Sequence, residues 1–499
     1  MGILRFLTFG ASMEDIKNII TEGAKNKISD KQFLEKEIAK FLSSPKRKDM
    51  IDGERYYEGN HDILKRIRTA IGEDGKLKEV ENLPNNKIVD NQYGKMVDQK
   101  ANYLLSKPPT FECENKKYEE MLKKIFNNRF FRILRNLGED SLNDGIGWLY
   151  PYYNDQGELC FKRFKSYEIL PFWNDEDHTV LDYAVRIYDV LVYEGNNETI
   201  VQKVEVYDIN GIHRFVLNSG SLINDIETPS SSHVITTDGE GNDIGLNWTK
   251  VPLIPFKFNS KEIPLIKRVR SLQDGINKIL SNFENNMEED ARNTILVLKN
   301  YDGQNLGEFR RNLAQYGAVK VRTTEGGDGD LKTLTVEVNA ENYKAIYDIF
   351  KKALIENARG FDAKDDRMGN SPNQMNIQSM YSDIDLDANG MEIEYQASFE
   401  ELLWFINQHL ANTGQGDFEN EVVTITFNRD ILINESESIT NCQNSMGILS
   451  DESIVAQHPW VKDVAKELAR KKAETSQNKE AYTQPIKNKD PAVEGGGNE

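Results

Sequence analysis

The residues of this sequence best suited to chemistry are carboxylates. Asp362, Asp365 and Asp366 crowd into one Gly- and Asp-rich segment, 359–374 (RGFDAKDDRMGNSPNQ). Hard divalent cations take oxygen ligands, so a metal-dependent nuclease would use such a cluster. A solvated acidic loop has the same composition and is the plainer reading. Asp385, Asp387 and Asn389 set oxygens at positions 1, 3 and 5 of a calcium loop, with Gly390 at position 6. Position 12 of that loop needs a two-pronged glutamate, and here it is Gln396. The six histidines, at 61, 178, 213, 233, 409 and 458, stand apart in sequence, none one helical turn from another histidine or from a cysteine. Cys113, Cys160 and Cys442 have the spacing of neither a zinc site nor a redox pair. There is no GxxxxGK[ST], HExxH or GxSxG. The sequence therefore predicts no catalytic residue, no cofactor and no enzyme.

Charge narrows the partners. The 499 residues carry 62 Lys+Arg against 81 Asp+Glu, a net charge of −19. Wrapping nucleic acid by bulk attraction needs a basic surface, which this balance excludes. Local cations remain: Lys267, Arg268 and Arg270 together, Arg310, Arg311, Lys320 and Arg322 in a second group, and Lys351 and Lys352 in a third. They suit solvated faces, partner contacts, or steering of a polyanion without tight binding. Apolar residues are 38% and charged residues 29% of the chain. No apolar run approaches the roughly 20 residues of a membrane helix. The run Ile3 to Phe9 is short and lacks a cleavage pattern, so the chain is expected to stay in the cytosol.

The elements that must position these residues alternate in type. Residues 13–60, 85–105 and 116–143 read as helical, the second with Ile88, Val89, Tyr93, Val97, Ala101 and Leu104 on one face. Strands are expected at 146–153, 159–164, 183–192, 199–208 and 212–217, parted by Asn/Asp/Gly turns. Residues 218–247 read as a long polar loop. From Ile266 the helical period returns. Val269, Leu272, Ile276, Ile279 and Phe283 alternate by three and four, a coiled-coil-like seam that wants a neighbouring helix. A small αβ insert over 294–338 separates it from a second amphipathic helix with Ile346, Ile349 and Phe350 on one face. A long helix, weakened at Asn389-Gly390, is expected from 375 to 410. A strand over 422–427, helices over 436–473 and a polar tail follow.

In this order the segments YYEGNHDIL (56–64), NNKIVDNQYGKMVDQKANYLLSKPP (85–109), LNDGIGWLYPYYNDQGELCFKRFKSYEILPFWND (142–175), VPLIPFKFNSKEIPLIKRVRSLQDGINKILSN (251–282) and ILVLKNYDG (295–303) resemble the portal proteins of tailed bacteriophages, in particular those of siphophages of Gram-positive hosts. The resemblance implies an α+β, predominantly helical subunit that assembles into a ring, most often of twelve. It implies an N-terminal segment (1–19), a wing (20–263), a stem helix (264–292), a clip (293–339) and a second stem helix (340–358). A tunnel loop (359–374), a long helix with a wing strand (375–434), a crown (435–475) and a disordered tail (476–499) complete it. Stem packing would fall to Val269, Leu272, Ile276, Ile279, Phe283, Ile346, Ile349 and Phe350. Partner docking would fall to Arg310, Arg311, Lys320 and Arg322 of the clip, and DNA contact to Lys364, Arg367, Asn370, Asn373 and Gln374. The implied function is the channel at one capsid vertex through which double-stranded DNA is packaged and ejected. It would be assembled in the host cytoplasm and carried in the virion. Implied partners are terminase, head-completion and connector proteins, and the major capsid and scaffold proteins, with no membrane. A metal-dependent phage nuclease and a different head or tail structural protein are the competing expectations.

Overall fold

In the computed structural model the described residues are 30–71, 75–79, 83–194, 197–237, 240–290, 295–299, 307, 330–334, 339–362, 374–429, 435–461 and 464–483. The chain divides into two compact units, Met1–Phe361 with Asp383–Asp430, and Asp362–Ser382 with Ile431–Glu499.

The first unit opens with α1 (Lys31–Leu42) and α2 (Pro45–Tyr57). The Asp30 carboxylate caps α1 by accepting from the Gln32 and Phe33 amides, and the Ser44 hydroxyl caps α2 ahead of a proline in its first turn. A 3₁₀ turn (Asp62–Lys65), the hairpin β1 (Thr69–Ile71) and β2 (Leu77–Glu79), and an extended segment then lead into α3 (Gln92–Leu105). Next come β3 (Thr110–Glu112), α4 (Lys116–Ile125) and α5 (Asn128–Asp144). The stretch 116–143 is two helices because Asn127 stops one and caps the next. Gly145 ends α5 at φ 85°, where an added Cβ would lie 2.3 Å from the Glu262 carbonyl oxygen.

Strands follow: β4 (Ile146–Tyr153), β5 (Leu159–Phe164), β6 (Ile169–Trp173), β7 (Leu181–Glu194), β8 (Asn197–Asp208), β9 (Gly211–Asn218), β10 (Ser221–Asn224), β11 (Val234–Thr237), β12 (Asp243–Leu246) and β13 (Ile254–Lys257). They form a five-stranded antiparallel sheet, β10-β9-β8-β7-β6, a three-stranded one, β13-β4-β5, and the hairpin β11–β12. Residues 218–247 are thus not a bare loop. They hold three short strands too polar to betray themselves.

The helix α6 (Ile266–Asp290), the antiparallel pair β14 (Ile295–Lys299) and β15 (Asp330–Leu334), and α7 (Ala340–Asn357) come next. Helix α8 (Gln374–Asn412) runs unbroken through Asn389-Gly390. A glycine there costs about 1 kcal/mol against alanine, which burial of Met391, Tyr395, Phe399 and Leu402 on the same helix outweighs. The strand β16 (Thr424–Thr426) pairs with β3.

One core lies under α1, whose Phe33, Leu34, Ile38 and Phe41 meet Tyr183, Val185, Val204 and Val206 of the five-stranded sheet. A second gathers Met50 of α2 with Trp148, Phe164, Ile169, Tyr207 and Leu253. Stacked and edge-on rings of Phe111, Phe126, Phe130 and Phe399 join α4, α5 and α8.

The second unit contains α9 (Glu435–Asn444), α10 (Asp451–Gln457) and α11 (Val464–Thr483). Helix α11 continues past residue 476, where the sequence reading starts a disordered tail. The segment AETSQNKEAYT is rich enough in Ala, Glu, Lys and Gln to carry it on.

Candidate functional site

Helices α6 and α7 pair antiparallel. The Phe350 ring lies over Gly275, where an added Cβ would come within 2.6 Å of it. Eight residues further along α6, Phe283 meets Tyr343, ring centroids 5.1 Å apart, and the Asn286 amide donates to the Tyr343 hydroxyl at 2.7 Å. Of the residues expected to pack here, Val269 and Ile276 are fully buried, and Leu272, Ile279, Phe283 and Phe350 are half-buried. Ile346 and Ile349 are exposed, at 44% and 63%.

The opposite side of α6 carries something the apolar pattern does not announce. Gln273, Asn277, Ser281 and Asn285 recur every fourth residue and are all buried, at 2% exposure or less. They hold residues 85–91, an extended strap with no sheet neighbour. Asn86 N donates to Asn285 Oδ1 (2.7 Å), Ile88 N to Ser281 Oγ (2.9 Å) and Asp90 N to Asn277 Oδ1 (3.0 Å). Tyr93 N donates to Gln273 Oε1 (2.9 Å), and Gln273 Nε2 returns a bond to the Asp90 carbonyl (2.7 Å). The match is geometric. Two residues of extended chain advance about 6.6 Å, and four residues of α-helix about 6 Å. Every second strap amide therefore meets every fourth helix side chain. A buried amide left without an acceptor is costly, so the side chains stand in for a missing strand.

Asn277 is the centre of this seam. With its oxygen taken by Asp90 N and Gln273 Nε2, its Nδ2 donates to His61 Nδ1 at 2.7 Å. His61 Nε2 in turn donates to the Tyr56 carbonyl at 2.9 Å. The Nδ1 contact, as an acceptor, requires the neutral ring with its proton on Nε2, and burial lowers the His61 pKa in the same direction. Tyr347 of α7 ties in through its hydroxyl, which donates to Asp90 Oδ2 (2.8 Å). At the start of α6, Arg270 pairs with Asp52 and Asp62, and Arg55 with the same two carboxylates, fixing α6 to α2.

Asp385 and Asp387 sit at the junction of α3, α6, α7 and α8. Asp385 and Asp387 lie on a helix, not in a loop, and cations already occupy them. Asp385 accepts from the Tyr103 hydroxyl and from Arg429, both at 2.6 Å, and Arg429 also binds Asn389. Asp387 takes Lys100, Arg268 and Arg359. The calcium-loop pattern, which Gln396 already breaks at position 12, therefore falls within a helix. Helical geometry turns these side chains to separate neighbours, and no group of metal-binding side chains occurs among the described residues. Gln99 clamps the end of the α7 exit, accepting from Phe361 N and donating to Phe361 O, each at 2.7 Å.

A family model described as "Phage portal protein, SPP1 Gp6-like" matches residues 44–481. The chain belongs to the phage portal protein family. It is 29% identical over 467 residues to the portal protein of Bacillus phage SPP1, covering 93% of this chain and 90% of that one. To the portal protein of Clostridium phage phiCD119 it is 26% identical over 433 residues, covering 84% and 91%. The portal family is one of structural channel proteins, not enzymes. Portal-type DNA contacts expected at Lys364, Arg367, Asn370 and Asn373, and the docking residues Arg310, Arg311, Lys320 and Arg322, lie outside the described residues, as do Asp365 and Asp366. Gln374 is the first residue of α8. The seam of Gln273, Asn277, Ser281 and Asn285 was missed, although four polar residues at a strict spacing of four were there to be read.

Proposed function

We propose that copies of this chain close into a ring, most often of twelve, around a channel for double-stranded DNA at one capsid vertex. In this reading α6 and α7 are the stem, 293–339 the clip, 359–374 the tunnel loop, 435–475 the crown, and the β-rich remainder of 20–263 the wing. The clip docks terminase during packaging and the head-completion or connector proteins afterwards, while capsid and scaffold proteins meet the wing. ATP hydrolysis belongs to terminase, in keeping with the missing phosphate loop. No helix among the described residues is long and apolar enough to cross a membrane.

The observation that carries this reading is the α6–α7 pair within a family match over 44–481. A helix hairpin whose outer face keeps Met287, Ile346 and Ile349 at 52%, 44% and 63% exposure is unfinished as a single chain. A neighbour in a ring would cover that face. Ile276 lies wholly inside the subunit, so charging it would unfold the chain instead of testing assembly. Ile349→Asp is the better probe. It should leave the thermal unfolding of the subunit intact and abolish the rings seen by negative-stain electron microscopy. Intact rings from Ile349→Asp would remove α7 from the interface.

A further inference from the structure

We propose that Arg268 and Arg359 form a phosphodiester contact for the duplex in the channel, an inference that rests on the channel reading above. The starting point is an imbalance of charge. The Asp387 side chain is 6% exposed, yet three cations converge on it: Lys100 Nζ at 2.9 Å and Arg268 Nη1 at 2.7 Å on one oxygen, and Arg359 Nη1 at 3.0 Å on the other. The neighbouring carboxylates Asp385 and Glu392 are engaged by Arg429, at 2.6 and 2.7 Å. Three cations thus share one carboxylate at Asp387, and with Arg429, Asp385 and Glu392 counted in, four positive charges face three negative ones. A buried charge without its counter-ion is expensive, and burial pushes the Lys100 ammonium down to about 8 despite Asp387. Burial also opposes ionisation of Asp387, but Lys100 and Arg268 hold its carboxyl below the usual range.

The two arginines are placed differently from the lysine. Lys100 is 4% exposed, with its ammonium shared between Asp387 and the Arg359 carbonyl. The side chains of Arg268 and Arg359 are 27% and 48% exposed, and each spends one N–H on Asp387. Arg268 also rests over the Phe258 ring at 5.2 Å. A guanidinium carries five N–H donors in a fork that fits two oxygens of a phosphate, so both retain donors for an oxyanion. Arg359 is held there against a backbone cost. It closes α7 at φ 51°, the left-handed position where glycine is preferred and another residue costs roughly 1 kcal/mol or more. Strain of this kind concentrates at sites of function. A duplex passing close by offers about one phosphate per 1.7 Å of axis, so a two-arginine site meets an oxyanion at every stage of translocation without reading sequence.

The test uses the full chain as purified rings and a short fluorescent duplex, with binding measured from about 50 to about 200 mM salt. The variants are Arg268→Gln with Arg359→Gln, and Arg268→Lys with Arg359→Lys, which keeps the charges and loses the fork. The glutamine pair is expected to bind about tenfold more weakly at low salt and to flatten the salt slope by at least about 1. The lysine pair should keep the slope and bind with intermediate affinity. Wild-type affinity and slope in the glutamine pair would overturn the proposal. Should the glutamine pair fail to form rings, wild-type affinity in the lysine pair would overturn it instead. Rings of the glutamine pair that fall apart while duplex affinity is unchanged would assign the site to a carboxylate of a neighbouring copy and overturn it as well. Absence of rings from the wild-type chain would defeat the channel reading itself, a distinct result.

Discussion

Helices α1 and α6 each lie against extended chain, and they do it with opposite chemistry. Helix α1 meets a five-stranded sheet whose amides and carbonyls mostly pair with one another, so it brings chiefly the apolar side chains Phe33, Leu34, Ile38 and Phe41, and at the edge strand β10 the Glu35 carboxylate, which accepts from Leu222 N at 2.7 Å. Helix α6 meets a single strap, 85–91, whose amides have no strand beside them, and it brings Asn277, Ser281 and Asn285 as acceptors. The contrast teaches that the side chains a helix presents are set by the hydrogen-bond debt of what it covers. An apolar contact tolerates sliding by small amounts. A ladder of one acceptor per amide fixes register, and the proposed ring would need α6 at one height in every copy.

Five substitutions, the last read against pH, probe this contrast. Asn277→Leu should be the most damaging, at about 4 kcal/mol, because it strands Asp90 N and His61 Nδ1 at once and removes one of the two acceptors of Gln273 Nε2. Urea unfolding measures it, and a loss under about 1 kcal/mol would mean that water replaces the ladder freely. Gly275→Ala should cost roughly 2 kcal/mol by pushing Phe350 away from α6, with the same readout. Ser281→Ala should cost about 1.5 kcal/mol through the single amide of Ile88. Under α1, Ile38→Val should cost only about 1 kcal/mol, the ordinary loss of one buried methylene. If Ser281→Ala proves the milder of these last two, the strap is not held by its ladder. The smallest effect is that of pH. Because His61 is held neutral and its pKa lies below 6.5, its contribution is complete above about pH 6.5 and is lost as the pH falls further. His61→Gln should flatten that part of the stability curve, seen as the unfolding midpoint against pH.

Much of the fold was legible in the sequence. The strands 146–153 and 159–164 match their predicted limits because an Asn-Asp-Gln-Gly turn separates two runs of aromatic and β-branched residues. The helices α6 and α7 were visible in their apolar period. The strap seam was not, because a search for apolar spacing passes over Gln273, Asn277, Ser281 and Asn285. The Asp387 cluster was invisible for another reason. Its partners Lys100 and Arg268 are 287 and 119 positions away, and nothing local marks them. The short strands within 218–247 were lost to their Thr, Ser and Asp content, which reads as loop until a partner strand supplies the pairing.

The ring is the claim on which the channel, the exposed face of α7 and the arginine pair all depend. Negative-stain electron microscopy of the purified full-length chain tests it most directly. Closed rings of about twelve copies with a stain-filled central hole are expected, in keeping with cyclic assembly through a head-to-tail interface. A homogeneous population of monomers, or of two-fold dimers without a hole, would contradict it.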